Sequence, residues 1–119
     1  MSKAQDVELR ARTKTFALRI IRLYVSLPKT TESQVLGKQV LRSGTSVGAH
    51  YREAQRAKSN ADFISKLEGA LQELDETAYW LELLVEAKIV PQDKLAPLRK
   101  ETDELTAILV TIVSKMKRK

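Results

Sequence analysis

The chain contains no cysteine among its 119 residues. That excludes disulfides, thiolate nucleophiles and Cys-ligated zinc or iron–sulfur centres. Glycine and proline number four and three, and aromatic side chains make up 5%, so a turn-rich β fold is disfavoured. The only histidine is His50. Glu53 lies three residues further on, but a bundle di-metal site needs paired Glu-x-x-His motifs and additional inward carboxylates. His50 therefore reads as a packed or interfacial residue, and neither a metal nor a cofactor is expected. Ser43 and Ser46 lack the base and orienting group of a hydrolase, and no glycine-rich turn joins a strand to a helix to cradle phosphate. No enzyme is expected. No apolar run approaches the roughly 18–20 residues of a membrane span, and Met1 to Arg12 is polar where a signal peptide would be apolar. The expectation is a cytoplasmic protein with no membrane partner.

What remains favours long helices. Ala, Leu, Glu, Lys and Arg are abundant, and 43% of the residues are hydrophobic, a composition of good helix formers. The length suits one domain spanning residues 1–119. Leu9, Phe16, Ile20, Leu23 and Leu27 recur at helical spacing and predict a first helix from about Ala4 to Leu27, stopped by Pro28. Thr31 and Gln34 resemble a capping box at the start of a second helix reaching about Ala57. Ser59 caps a third, with Asp62 in its first turn, carrying Phe63, Leu67, Ala70, Leu71, Leu74, Ala78, Leu81 and Val85 to an end near Lys88. Pro91 suits the first turn of a fourth helix, whose stripe is Leu95, Leu98, Leu105, Leu109, Ile112 and Met116. Pro97 predicts either a kink or a later start. Short turns between long helices predict an all-α, antiparallel, up-down-up-down four-helix bundle.

The net charge of +6 is uneven. Residues 1–58 carry +8, residues 59–114 carry −6, and Lys115 to Lys119 add +4. On helix two, Lys38, Arg42, Thr45, Ala49, Arg52 and Arg56 form one basic stripe at spacings of three and four. Helix one adds Arg12, Arg19 and Arg22 on one face, with Arg10 and Lys14 beside it. Helix three opposes them with Glu68, Asp75, Glu82 and Glu86. Guanidinium-rich stripes can follow a phosphate backbone, and RNA or DNA is a natural partner; a solvated face or internal salt bridges would give the same pattern. Gly37, Gly44 and Gly48 sit inside helix two, where each costs about 0.8–1 kcal/mol relative to Ala. Their common stripe suits either packing within the chain or a subunit contact. The basic and acidic stripes can also meet between copies. We therefore assign Lys38, Arg42, Gly44, Gly48, Arg52, Arg56, Glu68, Asp75 and Glu82 to an oligomer interface. Arg10, Arg12, Lys14, Arg19, Arg22, Lys115, Lys117, Arg118 and Lys119 are assigned to nucleic-acid contact. Trp80 reads as core or subunit packing beside Tyr79.

The run QVLRSGTSVGAHYREA from Gln39 to Ala54 is followed by ADFISKL from Ala61 and by Glu73, Glu76 and TAYWLELL from Thr77. Together they resemble the signature of a four-helix-bundle family encoded in intervening sequences of 23S ribosomal RNA genes. That family includes relatives of the accessory variability proteins of diversity-generating retroelements. The resemblance spans about Phe16 to Lys117. It implies a small non-enzymatic bundle that assembles as a ring-like homopentamer and presents a basic surface to RNA or DNA. In retroelements it implies work beside a reverse transcriptase and its template RNA. Carried onto this chain, Ser43 to Gly48 would hold helices close, and Arg42, Arg52 and Glu53 would make polar contacts within or between subunits. His50 departs from the family pattern, which has Asn there. The alternative functions are a scaffold that docks a partner protein through the same basic surface, or an intervening-sequence protein without a nucleic-acid role.

Overall fold

The computed structural model describes residues 1–119 as four helices: α1 (Lys3–Ser26), α2 (Thr31–Ala54), α3 (Asn60–Glu86) and α4 (Gln92–Lys117). Each boundary has a local cause. The Ser2 hydroxyl accepts from the Gln5 amide at 3.0 Å and opens α1. Leu27 is extended, as a residue before proline must be. The cap of α2 is Thr30 rather than Thr31. Its Oγ1 accepts from the Ser33 amide and donates to the Ser33 hydroxyl, while Gln34 turns back to donate to the Pro28 carbonyl at 2.9 Å. α2 ends at Ala54, three residues before the expected Ala57, because the amides of Arg56 and Ala57 tighten into i→i−3 bonds with Glu53 and Ala54.

Ser59 caps α3 through the Asp62 amide at 3.1 Å, and the Asp62 carboxylate accepts from the Lys58 amide. Beyond Glu86 the chain reverses at Lys88, whose φ of 61° is left-handed. The Ile89 and Val90 amides then both close onto the Leu84 carbonyl, a common helix-ending arrangement. Pro91 stands at the cap of α4 rather than in its first turn, and no side chain caps this helix. α4 starts at Gln92 and continues through Pro97, so the predicted later start does not occur. Pro97 lies on the exposed side.

Paired contacts fix the topology. Gly37 faces Tyr24 and Leu27, Gly44 faces Ile20 and Gly48 faces Thr13, so α1 and α2 are antiparallel. Ser43 bonds Thr77, and Glu53 pairs with Lys66, so α2 and α3 are antiparallel too. Glu68 reaches Lys117 and Arg12 reaches Glu101, which completes an up-down-up-down bundle of 47 × 22 × 21 Å. Its core holds Leu9, Phe16, Ile20, Val40, Val47, Leu67, Leu74, Leu81, Leu105 and Leu109 among others. Buried hydroxyls spend their donors locally: Thr13 on the Leu9 carbonyl and Thr102 on that of Leu98, each at 2.8 Å.

The four seams of the bundle are not alike. α2 packs most closely on α3, while α1 and α4 approach each other least. The glycines of α2 draw α1 to its other side. A Cβ on Gly44 would stand 2.6 Å from Ile20 Cγ1, so only hydrogen fits there.

Candidate nucleic-acid interface

Arg12, Arg19 and Ser26 recur at seven-residue steps and line the side of α1 that faces α4. The middle of this seam is neutralised. Arg12 donates to both Glu101 oxygens, at 2.6 and 3.1 Å, and to Glu104 at 3.2 Å, with Glu8 at 3.8 Å. The hydrogen bond to Glu101 leads in holding its guanidinium above the usual pKa. Surrounded by three carboxylates, Arg12 is a clamp between α1 and α4, which corrects its assignment as a free phosphate contact.

Two of the other expected contacts are also engaged. Arg10 Nε lies 3.3 Å from both oxygens of Asp6, and the Tyr51 hydroxyl donates to the same carboxylate at 2.7 Å. The Tyr51 bond is the main reason the Asp6 pKa is lowered, with Arg10 adding to it against a desolvation cost. Burial first, and Asp6 second, raise the Tyr51 pKa. Lys117 meets Glu68 at 3.0 Å, but both are exposed, and such a pair is easily exchanged for another partner.

The ends of the α1–α4 seam differ from its middle. At one end Arg19, Arg22, Leu23, Ser26, Val90, Lys94, Leu95 and Leu98 line an open groove of about 470 Å³. No carboxylate lines it, and Arg19, Arg22 and Lys94 take part in no ion pair. At the other end, Lys115 and Lys119 border a groove of about 350 Å³ with Met1, Gln5, Ile112 and Met116, and Arg118 is exposed beside it. Lys14 sits on a separate α1–α2 groove of about 280 Å³, together with Arg52.

The residues assigned to assembly divide in the same way. Lys38, Arg52 and Arg56 are exposed, without a carboxylate partner. Arg42 is bound within the chain by Glu73 at 3.3 Å and by Glu76, and the Glu76 hydrogen bond is the leading cause of its raised pKa. Gly44 is buried beneath Ile20, and Gly48 lies beneath Thr13. Gly44 serves the α1–α2 approach, which corrects its assignment to a subunit contact, whereas half-buried Gly48 also borders the α1–α2 groove beside Lys14 and Arg52. Glu68 is shared with Lys117, Asp75 is exposed and unpaired, and Glu82 borders a groove of about 240 Å³ with Tyr79, Arg99 and Asp103.

His50 places Nε2 3.6 Å from Glu73, while its buried Nδ1, packed over Gly69, has no hydrogen-bond partner. No cluster of three or more His, Asp or Glu side chains stands at ligating distance. No helix is long and apolar enough to cross a membrane. Trp80 is half-buried against the core, its ring 5.1 Å from that of Tyr79.

Two features escaped the sequence reading. Lys94 had a signal: it is a cation in the first turn of a helix, where the dipole disfavours positive charge. The exposed apolar side of α1, with Val7, Leu18, Ile21 and Val25, was legible as a second stripe at spacings of three and four, continued by Ala11 and Lys14.

The model of the 23S rRNA-intervening sequence protein family matches residues 5–111. The chain belongs to this family. Among solved structures, a protein of unknown function from the S23 ribosomal protein family of Bacteroides thetaiotaomicron VPI-5482 is similar. It is 41% identical, with a TM-score of 0.83 over 87% of this chain and 96% of that one. No match is found among curated proteins. The family match and the four-helix architecture agree with the resemblance carried by the Gln39 to Ala54 run.

Proposed function

We propose that this family member is a non-catalytic accessory protein that binds nucleic acid, RNA in particular, as a homo-oligomer. One observation carries the reading: cations without carboxylate partners gather at both ends of the α1–α4 seam, while its middle is internally neutralised. A monomer offers only a few such contacts. Repeating them around an assembly multiplies the effective affinity.

Two opposite faces suit a head-to-tail contact between copies. The α1–α2 side exposes Val7, Leu18, Ile21, Lys38, Arg52 and Arg56. The α3 stripe exposes Asp75, Tyr79 and Glu86. A contact between two different faces is heterologous and closes into a ring when its rotation allows. The family resemblance supports a pentamer and a reverse transcriptase as a protein partner, and the cysteine-free composition suits a cytoplasmic location.

The test is RNA binding by the purified protein across a salt series, with native mass measured with and without RNA. Binding that weakens steeply with salt, by a log–log slope of about −0.7 per neutralised single-strand phosphate, is expected, together with an oligomeric mass. No RNA retention at low salt refutes the reading. Salt-insensitive binding to a partner protein with no competition by RNA replaces it with the scaffold.

A further inference from the structure

The groove formed by Arg19, Arg22 and Lys94 combines two surfaces that a purely electrostatic patch does not need. Its rim carries three unpaired cations and the Ser26 hydroxyl, and its floor is the aliphatic surface of Leu23, Val90, Leu95 and Leu98. The cations come from different elements, Arg19 and Arg22 from the end of α1 and Lys94 from the start of α4. They thus border the groove from two different helices.

We propose that this groove is a seat for single-stranded RNA, taking phosphates on Arg19, Arg22 and Lys94 and one unstacked base against the aliphatic floor. The proposal rests on the nucleic-acid reading above and assigns it a place and a strand preference. Positive charge from two helices with no carboxylate lining the groove suits a phosphodiester chain. Arginine adds a planar face on which a base can stack. The apolar floor selects for a base that is free to leave its stack. A duplex, with its bases paired inward, has nothing to seat on the floor, and its backbone is therefore not held against the rim. The middle of the seam, where Glu8, Glu101 and Glu104 surround Arg12 and leave an excess of negative charge, repels a backbone and keeps the strand at this end.

The experiment compares labelled single-stranded and duplex RNA of the same sequence by fluorescence anisotropy over a salt series. The proteins are the wild type, the R22Q/K94Q variant and the K115Q/K119Q variant. All four substituted residues are exposed, and unchanged helical content and native mass show that the fold and assembly persist. The wild type should prefer single strands. R22Q/K94Q should weaken single-strand binding roughly tenfold at low salt, flatten its log–log slope by about 1.4 and abolish the strand preference. K115Q/K119Q should weaken both substrates while keeping the preference. A wild-type slope and preference in R22Q/K94Q overturns the groove while leaving RNA binding in place. Equal losses on single strand and duplex overturn it as a single-strand seat. A changed native mass makes the groove a subunit contact and overturns it. Absence of RNA binding by the wild type overturns the groove and the broader reading together.

Discussion

Replacing Gly44 with alanine sets two effects of opposite sign against each other. In an exposed helix interior the change should stabilise by about 0.8–1 kcal/mol, because alanine is the better helix former. At this position the new methyl would lie 2.6, 2.9 and 3.0 Å from Ile20 Cγ1, Cγ2 and Cδ1. Ile20 is fully buried and β-branched, so its χ1 has little freedom to swing aside. Overpacking of this kind costs about 1–3 kcal/mol, and the upper half of that range applies to contacts this short. The net expectation is destabilisation of about 1–2 kcal/mol, lowering Tm by roughly 4–8 °C for a chain of this size. Thermal unfolding by circular dichroism measures it. Ile20→Ala provides the second arm, since it opens a cavity that alone costs about 2–5 kcal/mol, and the Gly44 methyl would partly fill it. The double variant should be more stable than the sum of the two single losses. A Tm equal to or above wild type for Gly44→Ala, or strict additivity with Ile20→Ala, refutes the close approach of α1 and α2 at this level.

The Asp6 carboxyl has a lowered pKa in the fold, so it contributes stability above its ordinary pKa, and that contribution is lost as pH falls through the folded value. Wild-type Tm should therefore drop more steeply than that of Asp6→Asn below about pH 4, as a pH series of melts would show; parallel profiles would remove Asp6 from the account. Arg12→Lys keeps the charge but cannot reproduce the two-pronged contact with Glu101. It should cost about 1 kcal/mol in urea titrations, whereas Arg22→Lys, at an unpaired position, should stay within about 0.5 kcal/mol of wild type.

Helix existence and the apolar faces were legible because their period is a local property. Leu9, Phe16 and Ile20 on α1, and Leu95, Leu105 and Leu109 on α4, all reach the core. The caps were less legible. Thr30 and Thr31 are chemically equal candidates, and only the course of the chain after Pro28 decides which hydroxyl meets an amide. The site was harder still, because a cation's availability depends on neighbours far away in sequence. Arg12 and Arg19 occupy equivalent positions on one helical face. Glu101 and Glu104 neutralise the first, and Lys94 reinforces the second, and all three partners lie more than 70 residues away. The same reasoning explains Gly44 and Gly48. Sequence shows that small residues share a stripe, but the identity of the helix that covers them is decided in three dimensions.

The unequal seams bear on the order in which the fold assembles. Three of its interfaces join helices adjacent in sequence, each across a turn of a few residues, so they close at low entropic cost. The remaining seam joins the first helix to the last and is the least intimately packed, with its middle held by the Arg12 clamp rather than by glycine-mediated approach. Closing it requires the ends of the chain to find each other after the hairpins exist. The clamp is thus positioned to act as a latch on a finished molecule: Arg12→Lys is expected to speed unfolding more than it slows folding, as stopped-flow rates in urea would show.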